Sequence, residues 1–197
     1  VLLAVMAGMY AVYHGPDGIK EIAEDIQEMA GGLAGSIDSL GYTRVNDSFF
    51  DTLTYEVDQA TMTKLNDLAK SKGVNFYYGT GTVSISVGET EHGKDIQEIV
   101  QLFADAKGAN ASGSNAINGI PAELVRTSEY LTHEVFNIYH SESEMMRYIK
   151  RLENKDLSLT HSMISLGSCT MKLNAASELI PLGWSEWSNI HPFAPVD

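Results

Sequence analysis

A stripe of apolar residues at helical spacing constrains the fold of this chain more than any other feature. After a cluster of helix-breaking residues at 14–18 (HGPDG), apolar side chains recur every three or four residues as far as Leu40. This is the period of one helix face. The members of the stripe are Ile19, Ile22, Ala23, Ile26, Met29, Ala30, Leu33, Ile37 and Leu40. The pattern predicts a long amphipathic helix that packs on a second layer of structure.

Three glycines, Gly31, Gly32 and Gly35, interrupt this helix. Glycine lowers helix stability relative to alanine. We therefore expect the glycines either to permit the close approach of another backbone or to give the helix local flexibility.

The first thirteen residues are almost wholly apolar. They are fewer than the roughly 20 residues that a membrane-spanning helix needs, and we predict a buried core helix. The chain begins inside this pattern without an initiator methionine, so we expect it to be an interior piece of a longer protein.

A strand pattern follows the long helix. Residues 49–57 alternate apolar and polar side chains, the period of a half-buried strand, and Asp58 precedes a helix that ends near residues 72–73. Short strands are predicted at 74–78 and 83–87, and a last helix carries an apolar stripe from Ile96 to Phe103. The order βαββα after two helices predicts an α/β sandwich, one sheet covered by helices.

Residues 107–120 are rich in Gly, Ala, Ser and Asn and show no periodicity, which is typical of a linker. We therefore predict a small α/β domain over 1–106, a linker over 107–130 and a second part over 131–197.

The second part contains one strong helix signal, at 142–154. Ser141 and Glu144 form the pattern of a capping box. A stripe predicted to be buried comprises Met145, Tyr148, Ile149 and Leu152. Most of the remaining sequence has no regular pattern, apart from a possible short helix near 175–179.

Composition excludes several classes of partner. The formal net charge is −13, with 13 basic and 26 acidic residues, which argues against nucleic acid and against an anionic membrane surface. The single cysteine cannot form an internal disulfide, and we expect a reducing, intracellular compartment. The six histidines show no metal-ligand spacing, so we expect no metal site.

Glycines at 79–82 (GTGT) could cradle a phosphate with backbone N–H groups, but that requires a strand followed by a helix. Here two predicted strands flank the glycines, and a hairpin turn is favoured.

Residues 167–174 (GSCTMKLN) place a thiol, hydroxyls, an amine and an amide together in an irregular segment. Loops of this kind often carry site residues. Cys169 could be a nucleophile or a small buried side chain. Lys172 could form a Schiff base only in a desolvated site. Ser168 and Lys172 are four apart and do not form the Ser-x-x-Lys signature of acyl enzymes.

Three runs in the second part carry a family resemblance. They are 131–137 (LTHEVFN), 147–159 (RYIKRLENKDLSL) and 161–174 (HSMISLGSCTMKLN), and residues 189–195 (NIHPFAP) continue them. Through these runs the chain resembles the P-protein of the glycine cleavage system, glycine decarboxylase. The resemblance is loose over the first hundred residues.

The resemblance implies an oxidoreductase of the aspartate-aminotransferase fold type I, built from two related halves and dependent on pyridoxal phosphate. Residues 1–106 then correspond to the small domain of the first half, followed by a helical and irregular bridge. The implied reaction decarboxylates glycine and passes the aminomethyl group to the lipoyl arm of the H-protein. A homodimer or two-subunit oligomer is implied, in bacterial cytoplasm or the mitochondrial matrix.

The family's cofactor-binding lysine lies in a His-Lys stretch that this chain lacks. We therefore predict no catalytic residue here and expect the isolated chain to be inactive. The resemblance places six residues near the cofactor or substrate: Ser168, Cys169, Thr170, Lys172, Asn174 and His191. We also expect Trp184, Trp187 and Phe193 to be exposed in the isolated chain, which favours mobility, altered packing or self-association of 157–197.

Two alternatives stay open at this point. The chain could be a small α/β regulatory or interaction module without catalysis, although such a module has no reason to carry the runs after residue 131. It could also belong to a thiol enzyme centred on Cys169.

Overall fold

The computed structural model describes residues 1–111, 113, 115–157, 176–191 and 194. These residues belong to two compact units, Val1–Asn137 and Ile138–Asp197. None of the helices in the described ranges combines the length and the apolar character that crossing a membrane requires.

The predicted pair of N-terminal helices forms a single kinked helix, α1, over Leu2–Ser39. At the kink Gly15 has φ 66° and ψ −175°, and Pro16 follows it. A positive φ is readily adopted by glycine, and the proline N cannot donate the hydrogen bond that a continuous helix requires. The predicted break is therefore present, but the chain resumes the helix at once.

The prediction of burial for residues 1–13 is wrong. Leu2 and Leu3 are 71% and 79% exposed, and of the thirteen residues only Val12 is buried. An apolar sequence indicates that a helix face packs against a partner, but it does not predict whether that partner belongs to the same unit. Within the described part of this unit, no element covers the first turns of α1.

The second half of the long apolar stripe forms the centre of the core. Leu33 and Ile37 have no exposed surface. Gly31 confirms the close-approach interpretation, because its carbonyl oxygen accepts a hydrogen bond from the Ile117 N–H at 3.0 Å and an added Cβ would overlap the Ile117 carbonyl oxygen. Gly32 differs, since a Cβ there would meet open space.

Four antiparallel strands form one sheet in the order β1-β2-β4-β3. Their bounds are Thr43–Arg44 for β1, Thr52–Glu56 for β2, Tyr77–Tyr78 for β3 and Thr82–Ser86 for β4. Leu53 and Tyr55 of β2 pair with Ile85 and Val83 of β4 on the buried face. The opposite face carries hydroxyl pairs, including Thr54 with Ser84 at 2.8 Å.

Helices α2 (Gln59–Ser71) and α3 (Gly93–Lys107) pack with α1 to form the second layer. Asp58 caps α2 by accepting a hydrogen bond from the Thr61 N–H at 2.8 Å. Tyr42, Tyr55 and Phe103 form an aromatic cluster in which each pair meets edge to face. The mixed α/β class is confirmed, and β2, α2, β3, β4 and α3 follow the predicted order βαββα, whereas β1 was not predicted. The strands predicted at 49–57 and 74–78 each begin three residues before the observed β2 and β3.

The predicted linker, residues 107–130, contacts other parts of the first unit. The Phe49 N–H donates to the Gly119 carbonyl oxygen at 2.9 Å, and the Tyr130 hydroxyl donates to the Pro16 carbonyl oxygen at 2.6 Å. Short 3₁₀ turns occupy Ala122–Leu124 and Glu134–Phe136.

The second unit contains α4 (Glu142–Glu153), a 3₁₀ segment over Ala176–Gly183 and α5 (Ser185–Ser188). Ser141 caps α4 and also donates its hydroxyl hydrogen to Glu144 at 2.8 Å. The helix is confirmed, but its predicted burial is wrong, because α4 has no buried residue and Ile149 is 47% exposed. The elements described in this unit therefore leave its apolar face partly uncovered.

Candidate functional site

The predicted site loop at 167–174 lies outside the described residues. Ser168, Cys169, Thr170, Lys172 and Asn174 all fall there, and their expected roles remain predictions. His191 is the predicted site residue that the structure describes.

His191 is exposed and lies shortly after α5. Its carbonyl oxygen accepts a hydrogen bond from the Ala194 N–H at 2.9 Å. Large apolar side chains lie close to it in sequence and are also exposed: Trp184 at 53%, Trp187 at 66% and Ile190 at 60%. The predicted exposure of both tryptophans is confirmed, whereas Phe193 lies outside the described residues. His191 therefore belongs to a segment that presents apolar surface to solvent.

An arginine is held against two tyrosines in the second unit. The rings of Tyr139 and Tyr148 stack with centroids 4.4 Å apart, and the Arg151 guanidinium lies 5.4 Å from each ring. Arg151 also donates a hydrogen bond to the Tyr139 hydroxyl. A cation beside aromatic faces is attracted by their quadrupoles, so this contact fixes the segment before α4 onto the helix.

The glycines at 79–82 form the turn between β3 and β4, as favoured from the sequence. Gly81 has φ 72°, and the Gly79 N–H donates to the Thr82 carbonyl oxygen at 2.9 Å. The turn lines a groove of about 530 Å³ that also includes Tyr42, Asp58 and Lys107.

This groove does not offer a phosphate site. The Asp58 carboxylate already occupies the amino end of α2. Lys107 donates to the carbonyl oxygens of Leu40 and Gly41 at the end of α1 and lies 4.3 Å from the centroid of the Tyr42 ring. Its positive charge therefore stabilises the helix end.

Three buried or half-buried tyrosines have pKa values too high for acid–base chemistry near neutral pH. Burial, with the nearby Asp58 carboxylate, raises the pKa of Tyr42 to about 12. Burial, with Asp67, likewise raises the pKa of Tyr78 to about 12. Burial and the Asp38 carboxylate raise the pKa of Tyr55 as well. The Tyr42 hydroxyl donates to the Phe103 carbonyl oxygen at 2.9 Å and the Tyr55 hydroxyl donates to the Asp38 carboxylate at 3.0 Å, so both act as structural donors. The Tyr78 hydroxyl is buried and has no hydrogen-bond partner among the described residues.

The described residues do not fit a covalent anchor for an aldehyde cofactor. Such a lysine must be desolvated to be reactive as a neutral amine, and every lysine in the described ranges is exposed. The same ranges hold no group of three His, Cys, Asp or Glu side chains arranged for a metal ion.

A second groove was not anticipated from the sequence. It has a volume of about 540 Å³ and lies between α1 and the loop that precedes α3. Ile22, Ile26 and Met29 of α1 line it, with Asp25 and Glu28 beside them and Glu89 and Glu91 opposite. The acidic residues next to the apolar stripe were visible in the sequence, but their meeting with Glu89 and Glu91 depends on the tertiary fold.

The fold defines the first unit as a small α/β domain with one helix-covered antiparallel sheet. Residues 1–103 match the model of the glycine cleavage system P-protein family. The chain belongs to this family.

Two relatives extend the similarity over the whole chain. The glycine dehydrogenase (decarboxylating) of Flavobacterium johnsoniae is 53% identical over 201 residues, and that of Christiangramia forsetii is 50% identical over 201 residues. Each alignment covers 100% of this chain and 21% of the relative. The chain thus spans about a fifth of the length of these relatives.

Proposed function

We propose that this chain is a supporting segment of a glycine decarboxylase, the P-protein of a glycine cleavage system. The observation that carries the proposal is the 53% identity to a named glycine dehydrogenase (decarboxylating), which extends over 100% of the chain. An isolated interaction module gives no reason for such identity to continue through both units.

In this proposal the substrate is glycine and the acceptor of the aminomethyl group is the lipoyl arm of the H-protein. The cofactor is pyridoxal phosphate, which supplies an electron sink. Its covalent anchor is assigned to residues outside this chain, because the sequence lacks the His-Lys stretch of the family and the described lysines are solvent-exposed. The other half of the P-protein completes the enzyme as a homodimer or two-subunit oligomer, in bacterial cytoplasm or the mitochondrial matrix.

The chain's own contribution is structural and positional. The first unit supplies a packed sheet and helix layer, which is a rigid platform on which a site can be held in place. Residues 167–174 and His191 are proposed to border the cofactor cavity, with Ser168, Thr170 and Asn174 donating hydrogen bonds to the substrate carboxylate or cofactor phosphate. Cys169 and Lys172 are proposed to tune the local charge.

The isolated chain can be used to test whether the cofactor anchor lies outside these 197 residues. Purified chain mixed with pyridoxal phosphate, glycine, lipoylated H-protein and labelled bicarbonate should show no carboxyl exchange above a protein-free blank. Borohydride reduction followed by peptide mass spectrometry should find no stoichiometric pyridoxyl label on a single lysine. Robust exchange together with such a label would place the anchor within the chain and contradict the proposal.

The thiol-enzyme alternative is tested separately in a full-length polypeptide that carries this segment. A Cys169→Ser variant should retain carboxyl exchange within about twofold, since a residue that only tunes local charge contributes little to the barrier. A loss of several orders of magnitude, with cofactor binding intact, would favour nucleophilic catalysis by the cysteine.

A further inference from the structure

The groove beside the middle of α1 has an incompletely covered apolar floor. Ile22, Ile26 and Met29 are spaced four and three apart, so they lie on one face of the helix. All three are only half-buried. Met29 also packs against the main core, whereas Ile22 and Ile26 do not belong to it. Burial of these aliphatic side chains by a further element would be favourable, because it removes apolar surface from water.

Four carboxylates surround this floor. Asp25 and Glu28 project from α1, while Glu89 and Glu91 come from the loop before α3. Within the described part of the chain none of these four carboxylates forms an ion pair. Among the described residues that line the groove there is no Lys or Arg, and His92 is the one histidine. The groove therefore joins apolar surface to concentrated negative charge.

The carboxylates on the loop are held in place before any partner arrives. Glu89 accepts a hydrogen bond from the Tyr10 hydroxyl at 2.8 Å. Glu91 accepts one from the Gly88 N–H at 2.6 Å and another from the Thr90 hydroxyl at 3.2 Å. Ordering charged groups in advance lowers the entropy lost when a partner binds.

The geometry points to a basic amphipathic segment of the same polypeptide, outside these 197 residues, as the occupant of this groove. Aliphatic side chains of that segment cover Ile22 and Ile26, and its Lys or Arg residues pair with the carboxylate rim. Charge complementarity selects a basic partner. The length of the relatives, of which the chain covers 21%, supplies the candidate sequence. This inference rests on the proposed function, since it requires the chain to be part of a P-protein.

Charge-neutralising variants test the inference through stability rather than activity. Asp25→Asn/Glu28→Gln removes two rim charges, and Asp17→Asn/Glu21→Gln removes two charges from exposed positions of the same helix that do not line the groove. Each pair is made in the isolated chain and in a full-length polypeptide carrying it. The measurement is the ratio of unfolding equilibrium constants between each variant and its parent, from the urea transition that includes the first unit.

The rim pair should lower the folding equilibrium constant of the full-length polypeptide about fivefold, the size expected for losing partly buried ion pairs. It should leave the isolated chain within about twofold, because no partner is present there. The control pair should change neither protein by more than about twofold. If the rim pair and the control pair changed stability equally, the effect would come from overall charge and the inference would be overturned. Equal effects of the rim pair in the isolated chain and in the full-length polypeptide would also overturn it.

Carbodiimide coupling of the full-length polypeptide identifies the occupant when it contains lysine. The expected product joins Asp25 or Glu28 to a lysine beyond this segment, and Asp17 and Glu21 should give no such product. Isotopically mixed protein separates couplings within one molecule from couplings between copies. The inference would be overturned if coupling occurred only between copies. It would also be overturned if the full-length protein showed neither coupling nor a stability difference between the rim and control variants. Absence of carboxyl exchange would count against the proposed function alone, since neither readout depends on activity.

Discussion

At the scale of single residues, two adjacent glycines of α1 provide a matched pair. An alanine at position 31 would place its Cβ against the Ile117 carbonyl oxygen, whereas one at position 32 would meet open space. Gly31→Ala should therefore destabilise the chain by about 1–3 kcal/mol. Gly32→Ala should stabilise it by up to about 1 kcal/mol, because alanine favours the helix.

Urea unfolding followed by circular dichroism measures both effects. Equal stabilities for the two variants would show that the segment around Ile117 does not pack on α1 as described.

A hydrogen bond from Tyr55 to Asp38 gives the second residue-scale prediction. The Tyr55 hydroxyl lies 3.0 Å from the Asp38 carboxylate, which also pairs with Arg44 at 3.4 Å. Tyr55→Phe should cost about 1–2 kcal/mol, since the bond is made to a charged and partly buried acceptor. Tyr77→Phe is the control, because Tyr77 is 71% exposed, and it should leave the urea midpoint unchanged. An unchanged midpoint for Tyr55→Phe as well would rule out a stabilising role for this bond.

At the scale of elements, the cap of α2 predicts a dependence of stability on pH. Hydrogen bonds from the Thr61 N–H and hydroxyl lower the pKa of Asp58 below its usual value. A group with a depressed pKa in the folded state contributes stability that is present above its unfolded pKa and lost as pH falls through its folded pKa. Acidification should therefore remove the contribution of this cap.

Asp58→Asn isolates this contribution, because asparagine also caps helices but does not titrate in this range. Between neutral and strongly acid pH, the stability of the variant should fall less steeply than that of the parent chain. Thermal unfolding over that pH range provides the comparison. Parallel pH profiles would show that the cap does not depend on the charge of Asp58.

Elements that are stabilised by local interactions were predictable from the sequence, and elements that depend on tertiary contacts were not. Stripes and caps along one stretch of sequence located α2, α3 and α4, because both signals are local. β1 was not predicted, since a two-residue strand at Thr43–Arg44 exists only through its pairing with β2. Burial was wrongly predicted for residues 1–13 and for α4, because it depends on which other elements come to lie against an apolar face.

At the scale of the whole molecule, the two tryptophans report on one unit only. Trp184 and Trp187 are the only tryptophans in the sequence, and both lie exposed in the second unit. Iodide should quench their fluorescence nearly as well as that of free tryptophan amide. Unfolding of the first unit, followed by circular dichroism, should leave the tryptophan emission largely unchanged. Strong protection from iodide would indicate that the tryptophans are covered in solution, by self-association or altered packing.

The family of the chain was predictable from the sequence, whereas the arrangement of its candidate site in space was not. The runs after residue 131 identified the family, and the chain's membership is now shown. The positions of Ser168, Cys169, Thr170, Lys172 and Asn174 relative to a cofactor remain predictions. The groove at Ile22 and Ile26 was missed for a physical reason, since its acidic rim joins α1 to a loop more than sixty residues away along the chain.

We propose that this chain performs the role of the corresponding segment of a glycine decarboxylase. The most direct measurement is glycine-dependent carboxyl exchange by the Flavobacterium johnsoniae relative after its matching region has been replaced by these 197 residues. The chimera should fold, bind pyridoxal phosphate and retain exchange within about tenfold of the unmodified relative, a change of about 1.4 kcal/mol in the barrier. A folded chimera that binds the cofactor but shows no exchange would contradict the claim.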